Sequence, residues 1–361
     1  QKIESATSTY KLYIWIDGEN YGNPETMQNQ TFKFVLNADA SDQEPPALTT
    51  LNKLGLSVSD GTPDFSKTAQ ASCSDESTCE TTNGIYAAED NLGTSYYFRG
   101  AVENNYVKFA GYYWRIIRIN GDGTIRMIYD GTSAHANGES SKDRQVRPTA
   151  FNVNNDDNAH VGYMYGTPGS STYEATHANT NNSTIKTAND NWYKTNIVDK
   201  NYSQYVADAI YCNDRSLSSG TGIGTTVTEY MAYNRLNIKK TPSLKCTQNN
   251  DKFTISSSLG NGDLTYPVGL ITVDETAYAG CNNANESYYL YSGEMYWTIS
   301  PSDLRNGFSK AYAWSVGAVG HMLQSHVSFS YSGGLRPVIS LKSDIAFSGN
   351  GTMNQPFEIV S

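Results

Sequence analysis

The chain is expected to fold as an α+β protein dominated by antiparallel sheet, and three observations carry that expectation. Runs such as YKLYIWIDG, TFKFVLNADA and YYWRIIRI alternate apolar and polar residues with the period of two that marks a half-buried strand. Turn signals separate them, the strongest being NGDG at 120–123, where Asn-Gly and Asp-Gly reach positive φ at little cost. Helical periodicity is confined to short segments in the middle of the chain, and composition agrees: Gly, Asn, Ser, Thr and 27 tyrosines are abundant while charged residues make up 17%.

Taken in order, residues 10–18 and 31–40 read as two strands of an N-terminal β module. Because two strands alone are marginally stable, this hairpin needs something to pack on. Pro45 and Pro46 mark a boundary near residue 45, a polar linker spans 46–82, and the main domain occupies 83–361. Within it, residues 84–131 form an antiparallel meander whose NGDG turn contains Asp122, a turn residue and not a calcium ligand, since an EF-hand needs several carboxylates at fixed spacing. STIKTANDNWYKTNIV places Ile185, Ala188, Trp192 and Ile197 near one helical face, with Ser183 or Thr184 as its cap. A second short helix is expected in SQYVADAIY, then a long loop, YCNDRSLSSGTGIGTT. LTYPVGLITVDETAYAG reads as a strand and a short helix with Asp274 at its N-cap.

Several function classes are disfavoured. A net charge of −10 argues against nucleic acid, whose phosphates need clustered Lys and Arg, and against an anionic lipid surface. No run of 18 apolar residues exists, so no membrane insertion is expected, and the opening QKIESATSTYK reads as that of a mature product or an excised ectodomain. The glycines of the long loop fit no phosphate-binding motif. The histidines (135, 160, 177, 321 and 326) lack metal-ligand spacing, no GxSxG elbow is present, and the adjacent carboxylate pairs 89/90, 156/157 and 274/275 are not a glycosidase arrangement. Neither metal nor cofactor is expected. Cys73 and Cys79 are spaced to close a small loop and Cys212 and Cys246 a larger one, leaving Cys281 free; five reduced thiols are the alternative.

The informative stretch is FSKAYAWSVGAVGHMLQSHVSFSYSGG, residues 308–334. Tyr312, Trp314, His321, Gln324, His326, Ser328, Phe329 and Tyr331 crowd a Gly- and Ser-rich span whose composition is that of binding loops. Plain core packing by strand alternation is the competing reading. Next come Gly333 and Gly334, taken to permit a bend, and Pro337, which holds Arg336 extended. Arg336 is expected to brace the loops through carbonyls or a carboxylate.

The motifs YYWRIIRINGDGTIRMIYDG, YCNDRSLSSG, YPVGLITVDETAYAG, YYLYSGEMYWTISPSD and GGLRPVISLKSDIAFSGNGTMNQPFEIV, in that order over residues 84–361, resemble a family of Gram-positive bacterial surface and secreted proteins. That family's domain is similar to the C-type-lectin-like fold of formylglycine-generating-enzyme relatives. The N-terminal module resembles part of an exported biofilm-fibre protein. The resemblance implies binding and not catalysis, because the C-terminal cysteine pair of formylglycine-generating enzymes has no counterpart here. In retroelement-diversified members of the lectin-like class, ligand contacts cluster before the closing strand, which corresponds to residues 308–332.

The expectation is therefore an extracellular or cell-surface adhesion protein, not an enzyme. Its ligand is a host or bacterial surface protein, slightly preferred, or a glycan. One alternative is a filament subunit that self-assembles through the N-terminal β segment. Another is a secreted hydrolase, which would require a deep polar cleft with convergent titratable groups.

Overall fold

The computed structural model describes residues 44–305, 310–329 and 333–360, all within one compact unit, Glu44–Ser361. The N-terminal hairpin expected at 10–40 lies outside the described residues, as does Tyr331. The elements that matter here are, in order, α1 (Pro46–Lys53), β1 (Gly84–Asp90), β2 (Gly93–Arg99), β3 (Tyr106–Phe109), β4 (Tyr112–Ile119), β5 (Ile125–Gly131), α2 (Thr184–Tyr193), β6 (Val206–Ala207), β7 (Leu217–Ser219), β8 (Thr228–Tyr230), α3 (Val273–Tyr278), β9 (Tyr296–Arg305), β10 (Lys310–Val316), β11 (Met322–His326), β12 (Val338–Leu341), β13 (Phe347–Ser348) and β14 (Phe357–Ile359).

Two sheets dominate this β-rich α+β unit. The larger runs β6-β12-β5-β4-β3-β14-β13, with the β1–β2 hairpin joined to it through β2 and β4. Its pairings are antiparallel except that β14 runs parallel to β3. The smaller sheet is β7-β8-β9-β10-β11, antiparallel throughout. A shared core that includes Trp114, Ile128, Phe151, Trp297 and Ile339 is drawn from both sheets. No helix among the described residues is long and apolar enough to cross a membrane.

Local sequence explains many of these elements. The β4–β5 hairpin turns where Asp122 Oδ1 accepts hydrogen bonds from the Thr124 amide and hydroxyl, at 3.0 and 2.7 Å. Ser183 Oγ caps α2 by accepting from the Lys186 amide at 3.2 Å, and the helix buries Ile185 and Ala188. Half-buried Trp192 packs on Trp114 and Tyr129, with ring centroids 5.9 and 5.7 Å apart. Both disulfides form, Cys73 with Cys79 and Cys212 with Cys246, and Cys281 is free and buried.

Four local expectations need correction. SQYVADAIY makes only a 3-10 turn over Ser203–Tyr205, because Val206 and Ala207 pair instead with Leu341 and Ser340. Tertiary pairing here overrides helical propensity. The cap of α3 is Thr272, not Asp274: Thr272 and Glu275 cap each other reciprocally, and Asp274 in the first turn binds Arg235 through both carboxylate oxygens at 2.8 Å. Residues 46–82 are not a free linker. Ala47, Leu51 and Leu54, at helical spacing, bury one side of α1, and the Thr50 hydroxyl donates to the Gly123 carbonyl at 2.8 Å, docking the helix on the β4–β5 turn.

The last correction concerns Gly333 and Gly334, which serve close approach and not a bend. Gly334 takes no positive φ. A Cβ on Gly333 would lie 2.4 Å from the Trp297 indole nitrogen, and one on Gly334 would lie 1.2 Å from Gln145 Oε1. Arg336 follows, fully buried. It donates to the Tyr129 and Leu290 carbonyls at 3.0 Å each and to Asp130 Oδ1 at 2.7 Å, and lies over the Tyr296 ring. Pro337 adds a carbonyl that accepts from the Tyr129 amide at 2.9 Å.

Candidate functional site

Pairing in the smaller sheet sets Glu229 of β8 opposite Asp303 of β9, Asp303 opposite Tyr312 of β10, and Tyr312 opposite His326 of β11. Alternation places Trp314 and Gln324 on the same side as this row, and Ala311, Ala313 and Ser315 on the other. The helical turn Met231–Tyr233 and α3 cover one end of the row's face. Trp314, expected as a ligand contact, lies beneath them: it is 2% exposed and packs on Ala232, Leu236, Val273 and Ala277. It is floor, not surface. Beyond it, Tyr312, Gln324 and His326 are half-buried.

This open end is a groove of about 310 Å³ lined by Glu229, Tyr233, Asp303, Arg305 and Gln324, with exposed Val227 at its rim. A hydrogen-bonded network fixes its floor. Arg305 Nε donates to Asp303 Oδ1 at 2.7 Å, while its Nη2 donates to Asp303 Oδ2 at 3.1 Å and to Gln324 Oε1 at 2.7 Å. Gln324 Nε2 donates in turn to the Ser302 hydroxyl and to Asp303 Oδ2, at 2.8 and 3.1 Å. The Arg305 guanidinium lies 4.1 Å from the Tyr312 ring centroid. Burial opposes the guanidinium's charge, but hydrogen bonding to and attraction by Asp303 outweigh it and raise its pKa. Fixed rotamers of this kind lower the ordering cost of binding.

At the sheet edge the Ser328 hydroxyl accepts from Asn155 Nδ2 at 2.8 Å and is 2.8 Å from His326 Nδ1. A ring protonated at Nε2 takes the Ser328 proton at Nδ1, and the other tautomer donates to the hydroxyl instead. Burial, then the positive charge of Lys310, lowers the His326 pKa and keeps the ring neutral at pH 7. Lys310 Nζ donates to Asn155 Oδ1 at 2.6 Å and completes the chain.

Tyr312, Gln324, His326 and Ser328 thus come together. His321 stands at the far end of β11, in the turn from β10, where its carbonyl accepts from the Gly317 amide. Tyr312, Gln324 and His326 are carried by strands, not by a loop as the composition implied, and Ser328 lies in the turn just after β11. Sequence reasoning missed Glu229, Tyr233, Asp303 and Arg305. The polar-outward alternation of SDLR in β9 was a local signal, but its pairing with β8 and β10 was not readable from the chain.

Competing sites are weaker. A cavity of about 30 Å³ between the sheets, with room for about one or two waters, is lined by Asp90, Arg118, Arg126, Asp214, Arg235 and Glu275. These charges are already paired with one another or with Asp274. His135 lies between Glu139 and Asp143, 2.7 and 2.6 Å away, and buried His177 is pushed down to about 3 by burial first and Arg215 second. Among the described residues no group of three or more His, Cys, Asp and Glu is placed to hold a metal ion. Comparison of the chain with family models, curated proteins and solved structures gives no match.

Proposed function

We propose that the chain is an extracellular ligand-binding or adhesion protein whose contact surface is the open end of the five-stranded sheet. The observation that carries this reading is the prearranged Arg305–Asp303–Gln324 network beside half-buried Tyr312 and His326, on a sheet face that helices cover only in part. Networks of this kind, on rigid elements, are what binding sites need. The two disulfides favour an oxidising, extracytoplasmic setting, and the resemblance to secreted and surface proteins points the same way. A C-type-lectin-like arrangement for the main unit belongs to this proposal; two sheets with few helices and long connections support it. The partner is a surface protein or glycan.

The test is a screen of the soluble chain against glycan and host-protein arrays, beside a variant carrying Tyr312→Ala and Arg305→Ala. The expected result is a ligand held by the parent and lost in the variant, with unchanged circular dichroism. A ligand held equally by both would move the contact surface elsewhere.

A further inference from the structure

The groove has free hydrogen-bonding groups, and their arrangement points to a class of ligand. Among the described residues the Glu229 carboxylate has no hydrogen-bond or ion-pair partner, although it stands across from Asp303 and diagonal to Arg305. Arg305 commits Nε and Nη2 to Asp303 and Gln324, and its Nη1 is free of described partners at a side chain 44% exposed. The hydroxyls of Tyr233 and Tyr312 are likewise without described partners. The groove therefore sets a strong acceptor, Glu229, beside a strong donor, Arg305 Nη1, with aromatic rings alongside.

Resting on the binding reading above, we infer that this groove takes a neutral carbohydrate: one sugar ring whose adjacent hydroxyls bridge Glu229 and Arg305. A sugar hydroxyl both donates and accepts, so a neighbouring pair can donate to the carboxylate and accept from the guanidinium at once. Tyr233 also lines the groove, and an aromatic ring there can take the C–H face of a sugar. A volume of about 310 Å³ falls at the small end of ligand pockets and suits the end of a glycan. Charge narrows the class. Glu229 and Asp303 against Arg305 leave the groove with one excess negative charge, and the chain carries −10. Sialylated, sulfated and uronic-acid sugars are accordingly repelled.

The experiment is saturation-transfer NMR and calorimetry on the whole chain with methyl glycosides of glucose, galactose and mannose, with methyl glucuronide as the anionic probe. The variants are Glu229→Gln and Arg305→Gln, with Glu103→Gln as a distant control. At least one neutral glycoside binds, affinity falls about tenfold or more in each groove variant, the control is unchanged, and the glucuronide does not bind. Failure of every neutral glycoside to bind would overturn the carbohydrate assignment; if a protein ligand from the arrays still required Tyr312 and Arg305, the binding reading would stand without it. Should a glycoside bind equally to parent and groove variants, the sugar sits elsewhere and the assignment to this groove fails as well.

Discussion

Arg336 and Arg305 share two kinds of contact in two different places. Each pairs with an aspartate, Asp130 or Asp303, and each lies over a tyrosine ring, 4.7 Å from Tyr296 and 4.1 Å from Tyr312. The Arg336 side chain is 0% exposed and that of Arg305 is 44%. Around Arg336, Nε, Nη1 and Nη2 all have protein acceptors, and Asp130 serves Arg144 too. Around Arg305 one nitrogen stays available. Local chemistry alone does not separate a brace from a contact group; burial and leftover hydrogen-bonding capacity do.

Removing the carboxylate beside each arginine tells the two apart most strongly. Asp130→Ala leaves Arg144 and Arg336 buried without their anion and is expected to cost about 3–5 kcal/mol, read as a lowered midpoint in urea unfolding. Asp303→Ala removes a buried carboxylate too, but its arginine is half in solvent. The cost should therefore be smaller, about 1–3 kcal/mol for the Gln324 and Ser302 donors left without their acceptor, while ligand binding weakens. Comparable losses of stability in the two variants would erase the distinction.

Covalent ties provide the next contrast. Replacing Cys212 with Ser opens a loop of sequence separation 34, and chain entropy predicts a loss of roughly 4 kcal/mol. Replacing Cys73 with Ser opens a loop of separation 6, for about 2 kcal/mol. Thermal unfolding should rank them in that order.

Acid provides the gentlest probe. Burial opposes ionisation of Glu275, but Arg126 and then Arg118 more than offset it and hold the carboxyl below its usual value. At Asp143 burial is again opposed, here by hydrogen bonds from the Thr132 amide, the Ser141 hydroxyl and the Thr132 hydroxyl, and by His135, which keep its pKa near about 2. Both carboxyls are depressed in the folded state, so their stabilisation is present above the ordinary carboxylate range and is lost as pH falls through the depressed values. Stability followed from pH 5 towards pH 2 should decline (pH limits set by the roughly 4 units of an unperturbed carboxylate). The Asp143→Asn variant should show a shallower decline; an unchanged slope would remove Asp143 from the account.

What the sequence disclosed depended on whether the cause was local. The NGDG turn, the Ser183 cap and the half-buried stripe of α2 depend on residues within a few positions of one another. The Cys73–Cys79 pairing is equally local, whereas Cys212–Cys246 joins positions 34 apart and the spacing alone left reduced thiols as an alternative. The site needed more. Glu229 and Arg305 meet only because β8 pairs with β9, a register set by long-range packing, and Trp314 was misjudged because the residues covering it come from 231–236 and 273–277. The two glycines of GGLRP looked like hinge residues, and only Trp297 and Gln145 reveal that they are spacers.

The free thiol of Cys281 gives the molecule a built-in clock. Its sulfur donates to the Gly320 carbonyl at 3.1 Å, directly under the β10–β11 turn, and burial pushes its pKa up to about 12. In that state it neither ionises at neutral pH nor meets solvent, so an alkylating reagent can reach it only when the packing around it opens. The rate at which the native chain is alkylated thus times the opening of the core around Cys281, the β10–β11 turn included, and anything that holds that turn down should slow it.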